Sequence, residues 1–106
     1  MFLLLSRYVK PLEEVDRVLA EHRAFLDRYY DAGLFVVSGS REPRTGGVIV
    51  TVDASREAVE RALAEDPFVR EGVSQYEIVE FNASKRAQGF LAALAANAGG
   101  AEAPAP

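Results

Sequence analysis

Residues 15–40, VDRVLAEHRAFLDRYYDAGLFVVSGS, hold a helix, its stop and the strand that follows, and their reading decides the fold. Val15, Val18, Leu19, His22, Phe25, Leu26 and Tyr29 recur at the i, i+3, i+4, i+7 spacing of one helical face. Glu21, Arg23 and Asp27 fall outside that stripe. Ala32-Gly33 supplies the stop, with Gly33 expected in the left-handed conformation that ends many helices. After it the pattern changes to the β-rich run of residues 34–40. His22 is the chain's one histidine and lies on the apolar stripe. Two readings stand open: a core imidazole satisfied by a hydrogen bond, or an acid or base in a pocket.

Upstream, Pro11 suits the first turn, where its missing N–H costs nothing. Glu13 and Glu14 complement the positive end of the helix dipole. Residues 2–9 read as a first strand. The apolar start is about five residues long before Ser6-Arg7 interrupts it, too short for a signal sequence or a membrane span. Downstream, Arg41-Glu42-Pro43-Arg44-Thr45-Gly46-Gly47 is a turn, and residues 48–52 form a third strand. Asp53 or Ser55 caps a second helix over residues 56–64, with Val59, Ala62 and Leu63 facing inward. Asp66-Pro67 stops it, residues 68–72 connect, and residues 74–81 make a fourth strand with Tyr76 and Ile78 on one face. A helical extension is expected over residues 83–97, weakened by Gly89, and a disordered Ala/Pro/Gly tail over residues 98–106.

The order βαββαβ predicts an α+β, ferredoxin-like domain over residues 1–82: a four-stranded antiparallel sheet with both helices on one face. Leu3-Leu4-Leu5, Phe35-Val36-Val37 and Val48-Ile49-Val50 are apolar on both faces, whereas a strand with one solvated face should alternate. Two helices cover one face only. A second copy is the simplest cover for the other, so a homodimer with sheets packed face to face is expected.

Composition narrows the function classes. A net charge of −4 leaves no basic stripe for phosphates, which argues against nucleic acid as a partner. The absence of cysteine removes disulfides, thiolate nucleophiles and thiolate metal sites, and agrees with a cytoplasmic location. One histidine with scattered carboxylates gives no metal-ligand spacing, and Gly46-Gly47 lacks the lysine and helix of a phosphate loop. Neither a metal nor another cofactor is expected, nor a membrane partner.

Asp66 has two readings. It caps the turn before Pro67, or it is an ionised partner that fixes the tautomer of His22 and raises its proton affinity from within about 4–6 Å. Ser38 and Gly39 end the second strand and offer a hydroxyl and an approachable backbone at a pocket rim; a strand end with a bulge is the plain alternative. No G-x-S-x-G elbow accompanies the serine. Phe25 and Tyr29 would supply apolar walls around His22. Arg41 and Arg44 flank the hairpin loop, exposed to solvent or to an anionic ligand.

The first strand leading into the His22 helix, the Ala32-Gly33 stop, Ser38-Gly39, Gly46-Gly47, Asp66-Pro67-Phe68, Gly72 and Tyr76-Glu77-Ile78 appear in one order. Together they resemble the YCII-related (YciI-like) proteins, small bacterial dimers of ferredoxin-like α/β-barrel type. The resemblance covers residues 1–82. It implies a small enzyme in which His22 and Asp66 form an acid/base pair acting on a small cyclic or aromatic molecule, by isomerisation, elimination or dehydrochlorination. A non-catalytic dimeric ligand-binding module is the alternative, because such folds host many functions.

Overall fold

The computed structural model describes residues 1–90. The elements run β1 (Phe2–Tyr8), α1 (Leu12–Asp31), β2 (Phe35–Ser40), β3 (Gly47–Thr51), α2 (Arg56–Ala64), α3 (Pro67–Arg70) and β4 (Ser74–Glu80). The strands form one antiparallel sheet in the order β2-β3-β1-β4. This is the expected α+β, βαββαβ arrangement.

Local chemistry explains the boundaries. The Pro11 carbonyl accepts from the Glu14 and Val15 amides at the start of α1. Gly33, with φ of 79°, takes the left-handed turn after it. Ser55 rather than Asp53 caps α2, accepting from the Ala58 amide at 3.1 Å. Asp53 instead holds the N-terminal ammonium at 2.8 Å. The expected connector after Asp66 contains the short helix α3. Pro67 pre-sets the helical φ of its first turn, and Asp66 accepts the otherwise free Phe68 amide. At Gly46 a Cβ would lie 1.9 Å from the Ser6 carbonyl oxygen, so the hairpin loop reaches β1 only with glycine there.

Alternation divides β1 between the two faces. Phe2, Leu4 and Ser6 are buried under the helices, while Leu3 and Leu5 are half-buried on the far side. The helix-side core has two parts. Phe2, Leu4, Phe25, Leu26, Phe35, Ile49, Val59 and Leu63 form the larger. Val15, Val18, Phe68 and Val73 form the smaller. On α1, His22 stands between the residues of the two.

Among the described residues no helix covers the far face of the sheet, where Val37 pairs with Val50 and Leu3 with both Val50 and Val79. Val37 is 41% exposed there. Residues 81–90 lie across one end of this face. With Met1, Val37 and Val50, residues 81–87 and Phe90 line a cleft of about 530 Å³. Residues 82–87 carry no regular secondary structure and residues 88–89 form a turn, so the described part of the expected extension is not helical before Phe90. The rest of that extension and the expected tail lie outside the described residues. Among the described residues no helix is long and apolar enough to cross a membrane.

Candidate functional site

The α1 stripe turns His22 inward, and the α2–α3 junction brings Asp66 to it. His22 Nδ1 lies 2.8 Å from Asp66 Oδ1, and the two residues are 1% and 0% exposed. Helix offset, which spacing alone leaves undetermined, is therefore set so that the two side chains meet. Asp66 forms the expected cap and also lies within hydrogen-bond reach of His22. Its Oδ1 accepts the Phe68 amide at 2.9 Å as the α3 cap, and the same oxygen faces the imidazole.

A third side chain completes the arrangement. The Tyr76 hydroxyl donates to Asp66 Oδ2 at 2.8 Å. Burial, then the Asp66 charge and the hydrogen bond to it, push the Tyr76 phenol well above its ordinary range, so it remains a donor. Phe68 N–H and Tyr76 O–H both point at the carboxylate, an arrangement that suits its ionised form. The proton between the ring and Asp66 then belongs to Nδ1. In the neutral imidazole, Nε2 is left as the bare basic nitrogen.

Two aromatic rings pack against the imidazole. Phe68 stacks flat on it, with centroids 3.9 Å apart and planes 5° from parallel. Phe25 lies against it at 5.8 Å. His22 Nε2 is buried and has no partner among the described residues, a condition it shares with the Tyr8 hydroxyl and Ser74 Oγ. These atoms belong to one neighbourhood. Tyr8 meets Phe68 edge-on at 5.9 Å, and Ser74 is the register partner of Tyr8.

The remaining candidates separate. Phe25 is fully buried beside His22. Tyr29 packs on Phe25 and on Phe35, at 5.3 Å in each case, so these rings fill the space the sequence assigns to apolar pocket walls. The Ser38 hydroxyl lies 2.6 Å from the Tyr30 hydroxyl, not at His22. Gly39 pairs with Val48, on the sheet face away from the helices. Arg44 pairs with Asp16 at 2.6 Å, and Arg41 donates to the Ser6 carbonyl at 3.3 Å. Among the described residues no cluster of three or more His, Asp or Glu side chains could hold a metal ion.

Sequence reasoning missed Tyr76 and Phe68 as members of the site. The alternation of β4 put Tyr76 on one face with Ile78, which the pairing with Ser6 shows to be the helix side, and that was the available signal for the first. Phe68 lay in a stretch read as a connector, and its place beside Asp66-Pro67 in the family pattern was its one signal.

The YCII-related domain matches residues 1–82, the span over which the sequence pattern resembles that family. Among solved structures, the chain is similar to 5-chloro-2-hydroxyhydroquinone dehydrochlorinase (TftG) from Burkholderia phenoliruptrix AC1100, determined in complex with 2,5-dihydroxybenzoquinone. The superposition has a TM-score of 0.64 and 20% sequence identity, and covers 77% of this chain and 94% of that one. At that identity the likeness establishes a common fold. No curated protein matches the chain. The match over residues 1–82 and the fold together place the chain in the YCII-related family.

Proposed function

We propose that this chain is a small acid/base enzyme in which His22, oriented by Asp66, moves a proton on a small cyclic or aromatic molecule. One observation carries the reading: His22 Nε2 is buried with no partner among the described residues, although Nδ1 is held by a buried carboxylate. An unpaired buried polar group costs about 1–3 kcal/mol, and a core histidine serving structure alone would be expected to use both nitrogens. A basic nitrogen opposite an orienting carboxylate is the arrangement that proton abstraction needs. In an elimination, Nε2 takes the proton, the C–H or O–H electrons form the new double bond, and a leaving group such as chloride departs with its bonding pair. The similar dehydrochlorinase makes this reaction class the first to assay. Isomerisation uses the same nitrogen, which returns the proton elsewhere on the substrate.

The reading includes a homodimer. Its support is the sheet face bearing Leu3, Leu5, Val48 and Val50, which no described helix covers and which would bury apolar surface against a second copy. It also assigns Phe25 and Tyr29 to the apolar surroundings of the ring; Ser38, bonded to Tyr30, and Gly39, on the far face of the sheet, lie away from the His22 nitrogen and take no part in the proton transfer. A second reading, a non-catalytic ligand-binding module, draws on the burial of His22: access to Nε2 requires the packing around it to open.

The test is His22→Ala, assayed on chlorinated hydroxyquinols and small lactones, with mass by light scattering on the same preparations. The expected result is loss of at least about 100-fold in kcat, the scale of a general acid/base contribution, in a folded protein of twice the chain mass. Unchanged turnover by His22→Ala of a substrate the natural chain converts would refute the role. A monomeric mass at micromolar concentration would refute the dimer.

A further inference from the structure

Asp66 offers two oxygens, and the fold uses them differently. Oδ1 serves the imidazole and the α3 cap, and Oδ2 serves the Tyr76 hydroxyl alone among the described contacts. From this geometry we infer that Tyr76 is a positioning residue that sets the proton affinity of the His22–Asp66 pair, through the hydrogen bond it donates to Asp66 Oδ2. The catalytic consequence rests on the acid/base reading above; the test does not.

The sign follows from the charge states. With the pair deprotonated, a neutral imidazole faces an ionised carboxylate, and the Tyr76 O–H stabilises the anion. The next proton enters either as an imidazolium beside the carboxylate or as a carboxylic acid beside the imidazole. In both products the carboxylate charge is partly or wholly compensated, so the Tyr76 bond is worth less there. The bond therefore holds the proton affinity of the pair down, wherever the proton resides. Removing it raises the affinity. A nitrogen that must release its proton during each turnover benefits from that restraint.

Other charged groups around the pair do not duplicate this effect. From β1 comes Tyr8, whose hydroxyl has no partner among the described residues, with the Arg44–Asp16 pair beyond its ring. From α3, Phe68 contributes a neutral ring and its amide, while Arg70 and Glu71 are exposed. From α1, Phe25 is neutral, and Glu21 and Arg23 are exposed. The Glu65 side chain, at the end of α2, is half-exposed and faces Arg28. On β4, Gln75 and Glu77 are exposed on the opposite face of the strand. A purely structural Tyr76 would need its ring in the core and would tolerate loss of the hydroxyl with no effect on His22.

The experiment follows the single imidazole by NMR from pH 4 to 9 in the natural chain, in Tyr76→Phe and in a chain carrying 3-fluorotyrosine at position 76. Phenylalanine keeps the ring and removes the donor; the fluorinated phenol is a stronger donor. The expected result is a midpoint raised by about one pH unit in Tyr76→Phe, a tenfold change in proton affinity, and lowered in the fluorinated protein. An unmoved midpoint in both folded variants, shifts of the opposite sign, or no titration in any of the three overturns the inference. Should Tyr76→Phe fail to fold, the fluorinated protein alone decides. Shifts of the expected sign in a protein that converts no substrate would leave this inference standing and remove the catalytic reading.

Discussion

Two polar groups lie equally deep under the helices and are treated in opposite ways. At the β1–β3 seam, Ser6 Oγ accepts the Gly47 amide at 2.7 Å and approaches the Gly47 carbonyl, while Thr51 Oγ1 accepts the Phe2 amide and donates to the Val52 carbonyl. Every partner there is backbone, and each hydroxyl both accepts and donates. At the α1–α3 seam, the partners of Asp66 include an imidazole and a phenol, and one ring nitrogen is left over. The first pattern fixes strand register and is complete in itself. The second stacks an imidazole on Phe68, sets a carboxylate at its Nδ1 and leaves Nε2 without a partner among the described residues. Equal burial therefore does not imply an equal role; what separates the two groups is whether their hydrogen-bonding capacity is exhausted.

The contrast breaks most severely at Asp66. Asp66→Ala removes the α3 cap, the Tyr76 partner and the imidazole partner together, leaving three buried donors unpaired. The loss is expected at about 3 kcal/mol or more, at about 1–3 kcal/mol for each buried donor left unpaired. It is read as the fall in the urea midpoint with the denaturant slope unchanged. A loss under about 1 kcal/mol would mean that Asp66 does no more than an exposed cap.

The extent to which the sequence announced this arrangement depends on how local each feature is. The reach of α1, the left-handed Gly33, the cap at Ser55 and the β4 alternation follow from neighbouring residues, and each was legible. Asp66-Pro67 was legible as a helix stop, but α3 was hidden because a four-residue helix leaves no periodicity to detect. The meeting of His22 with Asp66 joins residues 44 positions apart and depends on the offset between α1 and the α2–α3 junction. No single-sequence pattern encodes that offset: the residue types offered Asp66 as a partner for His22 beside its reading as a turn cap, and the family resemblance favoured the pair. Tyr76 escaped notice for a related reason. In a strand, a tyrosine beside an isoleucine has the pattern of ordinary core packing, and only the position of Asp66 gives its hydroxyl a task.

A smaller effect of the same arrangement should appear at alkaline pH. Tyr76 is raised by burial first and by the Asp66 charge second, and Tyr8 is likewise raised chiefly by burial. The unfolded chain releases these protons near pH 10, whereas the folded chain retains them. Stability is therefore full below about pH 10 and falls above it, by about 1.4 kcal/mol per pH unit for each phenol still protonated only in the folded state. Urea midpoints measured from pH 8 to 11 should be level and then drop, with a shallower drop in Tyr76→Phe. The same drop in both proteins would show that the Asp66 side of the core has no special share in it.

The mildest test is at the exhausted site. Thr51→Val keeps shape and volume but removes the acceptor of the buried Phe2 amide at 3.1 Å. The cost is expected at about 1–2 kcal/mol, that of one unpaired buried donor offset by a better-packed methyl. Because Thr51 is closed on backbone partners and touches neither His22 nor Asp66, the His22 titration should not move. If it moves as far as in Tyr76→Phe, the two seams are coupled through β1, and the pair's proton affinity answers to the core as a whole. If it stays still while stability falls, the separation is real: one seam holds the sheet together, and the other holds a proton site.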